Sequence, residues 1–329
     1  MLNPDLQLNP KLFASDVEQR PTRDGYGAGL LLLGEENPNV VALCADLTES
    51  TRTEPFAKKF PERFIEMGVA EQNMVTVAAG LAITGKIPFV ASYATFSPGR
   101  NWEQIRTTIA YNNANVKIAG HHTGISVGPD GATHQATEDI AMMRVMPKMR
   151  VIVPCDAIEA EKATFAAGRL VGPMYLRFQR EATPIITTPA TPFLIGRAEV
   201  LWQSKKPDVL IIGCGPLLHH ALEAARLLEK EKIGTVVLNS HTVKPLDEKK
   251  IIEWAKKTGA VVTVEEHQIY GGLGGAVAEL LGAQMPVPIE FIGLQDTFGE
   301  SGTPSELLEK YGMGVKDIIA AAKKAKRRK

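Results

Sequence analysis

The 329-residue sequence predicts two consecutive α/β domains with mainly parallel sheets. Three observations carry that reading. Short apolar runs rich in Val, Ile, Leu and Ala recur along most of the chain. Stretches with helical spacing separate them, as a parallel sheet covered by helices requires. A proline- and threonine-rich segment with neither period, "EATPIITTPATPFLIG", interrupts the alternation once, after Arg180.

The first domain is placed at residues 22–182. Its strand candidates are "NVVALCA", "FIEMGV", "IPFVASY", "NVKIAGH", "RVIVPC" and "MYLRF". The helices between them are "RDGYGAGLLLLGEE", the segment beginning at Glu71, "RNWEQIRTTIAYNN", "ATEDIAMMRVM" and "AIEAEKATFAAGRL". Residues 183–193 form a linker. The second domain, 194–329, alternates again: "DVLIIGCG", helix "PLLHHALEAARLLEKEK", "GTVVLNS", helix "DEKKIIEWAKKTG", "AVVTVEE", helix "GGAVAELLGAQ" and "IEFIGL". Residues 1–21 are an N-terminal extension. The basic end, "KKAKRRK" at 323–329, is expected to be a solvated, frayed tail.

Lysine plus arginine equal aspartate plus glutamate, 37 against 37, so no global field draws the chain to nucleic acid or to a membrane surface. No uninterrupted apolar run is long enough to span a bilayer, and the start lacks a basic region followed by an apolar stretch. The expected location is the cytoplasm. Cys44, Cys155 and Cys214 are far apart and form no C-x-x-C pair, which suits buried free thiols in a reducing compartment.

In open parallel sheets, ligands bind beyond the carboxyl ends of the strands. The unusual polar residues of the first domain collect there. Asp46 follows "VVALCA" and Glu71 follows "FIEMGV". Tyr93 and Phe96 close or follow "IPFVASY", and His122 stands at the end of the next strand. The loop "TGISVGPDGATHQ" carries Asp130 and His134, and Arg180 follows "MYLRFQ". Taken singly, each has an ordinary explanation: Asp46 and Ser50 as turn and cap residues, Tyr93 and Phe96 as core aromatics, Glu71 as a helix N-terminal charge. Glu71, however, shares a face with Met74, Val75 and Ala78, the side that a helix buries. In the second domain, "GCGPLL" has Leu218 where a dinucleotide fingerprint needs its third glycine, which argues against such a site.

"GVAEQNMVTVAAGLAITGKIPFV", "SYATFSPGRNWEQIR" and "GISVGPDGATHQATEDIAMMRVMP" together resemble the pyrimidine-binding domain of transketolases, and the remainder resembles their C-terminal domain. The resemblance runs from about Thr22 to about Gly314. It implies a thiamine-diphosphate enzyme that transfers a two-carbon ketol unit from a ketose phosphate to an aldose phosphate. Transketolases are usually about twice as long, with an N-terminal domain that grips the diphosphate through magnesium by a G-D-G…N motif. That motif is absent here. The chain therefore resembles the C-terminal subunit of a split transketolase, inactive without a separate diphosphate-binding N-terminal subunit. The implied assembly is an α₂β₂ complex built on a β₂ pair, with the magnesium ligands on the partner.

The resemblance also assigns roles. Glu71 matches the glutamate that hydrogen-bonds the aminopyrimidine nitrogen and activates the cofactor. Tyr93 and Phe96 match two positions of the aromatic pocket, and Gly99 stands where a third aromatic is common. His122 and His134 would contact substrate hydroxyls or the carbonyl oxygen, and Asp130 the neighbouring hydroxyl. Arg23, Ser50 and Arg180 match phosphate-binding positions. Asp46 matches an acidic residue near the thiazolium and the subunit interface. Rival readings are a deoxyxylulose-phosphate synthase-like half, a 2-oxoacid dehydrogenase beta subunit, and a non-catalytic scaffold of the same fold. The first two are disfavoured by His122 and by "DGATHQ", the third by retention of Glu71, His122, Asp130 and His134.

Overall fold

The computed structural model describes all 329 residues. Its larger sheet has seven strands in the order Thr242–Lys244, Arg150–Ile152, Met174–Arg177, Lys117–His121, Ile87–Tyr93, Val40–Cys44, Phe64–Glu66. The last six run parallel and are the six strands expected of the first domain. Val40–Cys44, Lys117–His121 and Met174–Arg177 are buried at every position, because helices cover both faces. The second sheet has five strands, Ile289–Leu294, Val261–Gln268, Val209–Gly213, Thr235–Asn239 and Glu199–Gln203, of which the last is antiparallel. Two α/β units with mostly parallel sheets are thus observed.

Three features depart from the expectations. The short strand Thr242–Lys244 follows the second domain's strand Thr235–Asn239 yet pairs antiparallel with Arg150–Ile152, completing the other sheet. With three residues and a register shift, it carries too little pattern to be read from sequence. The N-terminal residues are not a free extension. Leu2, Leu6 and Leu12 pack into the second domain's core, and Asn3 donates its N–H to the Leu201 carbonyl at 2.9 Å.

The basic end is not frayed. Residues Val315–Arg327 form one helix whose Ile318, Ala322 and Ala325 are buried. Its cations meet acids on the body of the domain, Lys324 with Glu290 at 2.8 Å and Lys326 with Asp208 at 2.9 Å. The charge run disguised an amphipathic helix: the apolar positions are small alanines at helical spacing, and the lysines fill the outer face.

The helix expected at 100–113 forms as Trp102–Gln104 continued by a π-helical turn, Ile105–Ala110. All three cysteines are free and buried. No helix is long and apolar enough to cross a membrane.

Deleting residues 323–329 removes the buried Ala325 methyl and the Lys326–Asp208 pair. The unfolding free energy should fall by about 1–2 kcal/mol. A urea midpoint unmoved by the truncation would restore the frayed tail.

Candidate functional site

The parallel strands end on one edge, and the sequence-predicted residues sit on it. Glu71 opens the helix Glu71–Ile83, after a turn in which Ala70 donates its N–H to the Gly68 carbonyl at 2.7 Å. Met74, Val75 and Ala78 on its face are buried, and Glu71 itself is 1% exposed. The carboxylate finds a charge partner within the chain: Arg100 Nη1 donates to Glu71 Oε2 at 2.9 Å. Asn101 fixes the backbone below, its Nδ2 donating to the Glu71 carbonyl at 3.0 Å and to Ser97 Oγ at 3.1 Å.

Sequence reasoning missed Arg100. It reads as the first residue of the helix "RNWEQIR", whereas it lies in the turn after Ile87–Tyr93, where the same strand-end rule applies to it. The burial of Glu71, assigned in the sequence to a cofactor ring, is thus met in part by a guanidinium.

Beside the acid is a group of flat rings. Tyr93 and Phe96 have ring centroids 6.1 Å apart and nearly parallel planes, and His122 stacks on Tyr93 at 3.8 Å. His134 stands edge-on to both, 6.1 Å from Tyr93 and 5.5 Å from Phe96. Arg100 lies over the Phe96 ring at 4.8 Å, linking the acid to the aromatic group. At Gly99, a Cβ would lie 1.9 Å from the Thr95 carbonyl oxygen, so the turn admits no side chain where a third aromatic was considered.

His122 is a neutral imidazole. Burial, reinforced by repulsion from Arg23, Arg180 and His134, lowers its pKa to about 3, and its buried Nδ1 has no partner. It adopts φ 53° and Asp46 φ 57°, left-handed values uncommon outside glycine.

Arg23 donates from Nη1 to the Ser50 carbonyl at 2.9 Å, so these two predicted residues meet through the main chain of Ser50. Burial lowers the Arg23 pKa, and repulsion from Arg52 and Arg180 adds to the shift. Arg180 Nη1 donates to the Val127 carbonyl at 3.0 Å and lies 3.5 Å from Asp130, fastening the loop of Asp130 and His134 to the edge of the sheet. Arg52, also missed in the sequence, adds a third guanidinium and is held by Asp24 at 2.8 Å. Cations that repel one another around a neutral imidazole make a place for an anion.

Asp46 is separate from this group. Its side chain is exposed and makes no hydrogen bond, and its N–H donates to Glu66 Oε1 at 2.7 Å. No three His, Cys, Asp or Glu side chains are grouped to hold a metal ion. A groove of about 850 Å³, lined by Trp102, Arg106, Tyr111 and Met146, includes none of the ring or anion-binding residues. The candidate site is an open edge with a buried acid at its base.

The family model for the transketolase pyrimidine-binding domain matches residues 18–185, and that for the transketolase C-terminal domain matches 196–318. A chain named as a transketolase C-terminal section in Methanocaldococcus jannaschii is 45% identical over 90% of this chain and 93% of its own length. A 6-deoxy-6-sulfo-D-fructose transketolase subunit of Clostridium sp. (strain MSTE9) is 40% identical, covering 96% and 98%. The solved structure of a split-gene transketolase, described as an inactive β4 tetramer, superimposes with a TM-score of 0.88 at 48% identity, covering 94% of this chain and 99% of that one. This chain spans about half the length of the mammalian transketolases it matches.

Replacing Arg100 by Met would strip a buried carboxylate of its charged partner. Because Arg100 is itself half exposed, the loss in unfolding free energy should be about 1–2 kcal/mol, below that of a fully buried pair. Denaturant titration of Arg100→Met checks it; no loss would mean that Glu71 is neutralised by another group.

Proposed function

The chain belongs to the transketolase family, and on that premise we propose that it is the C-terminal, pyrimidine-binding half of a two-polypeptide transketolase. The observation that carries this reading is a 1%-exposed acid beside a group of flat rings, with three guanidinium groups on the same strand edge. The half-length match to mammalian transketolases and the near-full-length match to a C-terminal section support the split. The cytoplasm is its expected setting.

The chain fits the pyrimidine end of thiamine diphosphate. Glu71 offers a buried carboxyl group to a ring nitrogen, and Tyr93 and Phe96 give flat apolar faces for the ring. When bound, the cofactor supplies a carbon nucleophile and an electron sink for a two-carbon fragment. Glu71 would hydrogen-bond the ring nitrogen through its carboxyl group, which is the contact that the cofactor's activation needs. His122, kept neutral by burial and by the nearby guanidinium groups, donates to or accepts from a substrate oxygen without adding charge. His134 and Asp130 take neighbouring hydroxyls. Arg23 and Arg180, aided by the Ser50 segment, bind the terminal anion. Asp46 belongs to the rim facing the thiazolium and the partner subunit. The magnesium ligands are assigned to the N-terminal subunit, and the active assembly to an α₂β₂ complex around a β₂ pair.

The terminal anion need not be a phosphate. The clostridial relative is named for a sulfonated sugar, and a sulfonate presents the same tripod of acceptor oxygens to arginine. Competition between phosphorylated and sulfonated ketoses in one assay ranks the two.

Combining the chain with a diphosphate-binding subunit, cofactor and magnesium should give ketol transfer from a ketose phosphate. Turnover of pyruvate instead would move the chain to another branch of thiamine chemistry. Glu71→Gln should leave assembly intact and lower turnover by about a hundredfold or more, and an unchanged rate would remove Glu71 from the mechanism. Arg23→Met should raise the KM of the anionic ketose about ten- to a hundredfold with a smaller effect on kcat, and an unaltered KM would take Arg23 out of the clamp.

A further inference from the structure

Most hydrogen bonds around the candidate site come from the first domain, but one side chain of the second domain reaches behind it. Glu266, near the end of the strand Val261–Gln268, is 4% exposed. Its Oε1 accepts the N–H of Ser126 at 2.7 Å, and its Oε2 accepts the side-chain amide of Gln179. Ser126 lies in the loop that carries Asp130 and His134, and Gln179 immediately precedes Arg180. The Gln179 main chain in turn meets the helix of Arg23: its N–H donates to Thr22 Oγ1 at 2.7 Å, and its carbonyl accepts the Arg23 N–H at 3.4 Å. The loop has been shaped around this carboxylate. Gly124 sits at φ 76°, and a Cβ there would lie 2.1 Å from Glu266 Oε1.

Resting on the function proposed above, we propose that Glu266 is a positioning residue of the substrate site. One carboxylate from the C-terminal domain sets, from behind, the segments that bear Arg23, Arg180 and the Asp130–His134 loop. An anion clamp needs its cations fixed relative to one another, since a displacement of about 1 Å at such a site costs on the order of a hundredfold. A buried carboxylate is a costly way to join two domains, and apolar residues of similar volume would serve as well for adhesion alone. Burial raises the Glu266 pKa, while the Ser126 and Gln179 donors oppose that shift. Glu266 is the one side chain of the second domain that hydrogen-bonds to Ser126 or Gln179. Glu266, Ser126 and Gln179 together line an interdomain cavity of about 760 Å³.

Glutamine is the informative substitution. It keeps the size but turns one acceptor into a donor, and both partners of Glu266 are donors, so one segment must move. In the assembled two-polypeptide enzyme, Glu266→Gln should raise the KM of a ketose phosphate about tenfold, with kcat within about threefold and cofactor Kd unchanged. The KM of an unphosphorylated ketol donor, which does not use the clamp, should change less than about twofold. Amide exchange over residues 124–131 should quicken in the same variant, a readout independent of turnover. An equal change for both donors, or exchange that matches the unsubstituted chain, would overturn the proposal. Should Glu266→Gln not assemble, Gln179→Ala removes one of the two contacts and should show the same split between donors at smaller size. If the unsubstituted complex accepts no ketol donor while exchange responds as expected, the functional reading falls and the loop-positioning role stands.

Discussion

A carboxylate taken out of water must be answered where it lies, and Glu71 imposes that demand on everything near it. Its helix begins at the edge of a parallel sheet, so the acid is carried to the place where loops from neighbouring strands converge. The turn after Ile87–Tyr93 responds with Arg100 on the carboxylate and Asn101 on the main chain. The same turn supplies Phe96, over which Arg100 lies. Acid, cation and aromatic face are therefore one unit, and the rings of Tyr93, His122 and His134 extend it along the edge.

The two domains are braced through this region. The strand Thr242–Lys244 adds to the first domain's sheet, and a core of buried residues runs from Val41 and Met74 to Leu210 and Leu281 across both. Arg177 and Asp139 form a buried ion pair at 2.8 Å, and Arg177 Nη2 also donates to the Glu266 carbonyl at 2.9 Å. Burial would raise the Asp139 pKa, but the Arg177 charge and hydrogen bonds hold it below the usual carboxylate range. The Glu266 contacts make the second domain a platform on which the loop of Asp130 and His134 rests.

Much of the fold was legible because buried parallel strands write themselves as apolar runs: "VVALC", "KIAGH" and "MYLR" are buried at every position and were read directly. What stayed hidden has weak local pattern. Glu199–Gln203 and Thr242–Lys244 are antiparallel edge strands, decided by pairing across the structure rather than by their own composition. The tail's helix was concealed by its charges. Within the site, strand-end position brought together Glu71, Tyr93, Phe96, His122, Asp130, His134 and Arg180, and family resemblance added Arg23 and Ser50, while the contacts of Arg23 with the Ser50 carbonyl and of Arg180 with Asp130 emerge only in the fold. Arg100, Arg52 and Glu266 escaped notice because their significance lies in partners 29, 28 and 140 residues away. Asp46 passed the same positional filter, yet its exposed side chain leaves it apart from the ring group.

The central claim is that this chain owns the acid and the ring faces of a shared cofactor site whose diphosphate grip lies on another polypeptide. Calorimetric titration of thiamine diphosphate with magnesium tests it directly, first into this chain and then into its stoichiometric mixture with the diphosphate-binding subunit. The account predicts negligible heat in the first titration and saturation at one cofactor per chain in the second. Tight magnesium-dependent binding by the isolated chain, or none by the mixture, would contradict it.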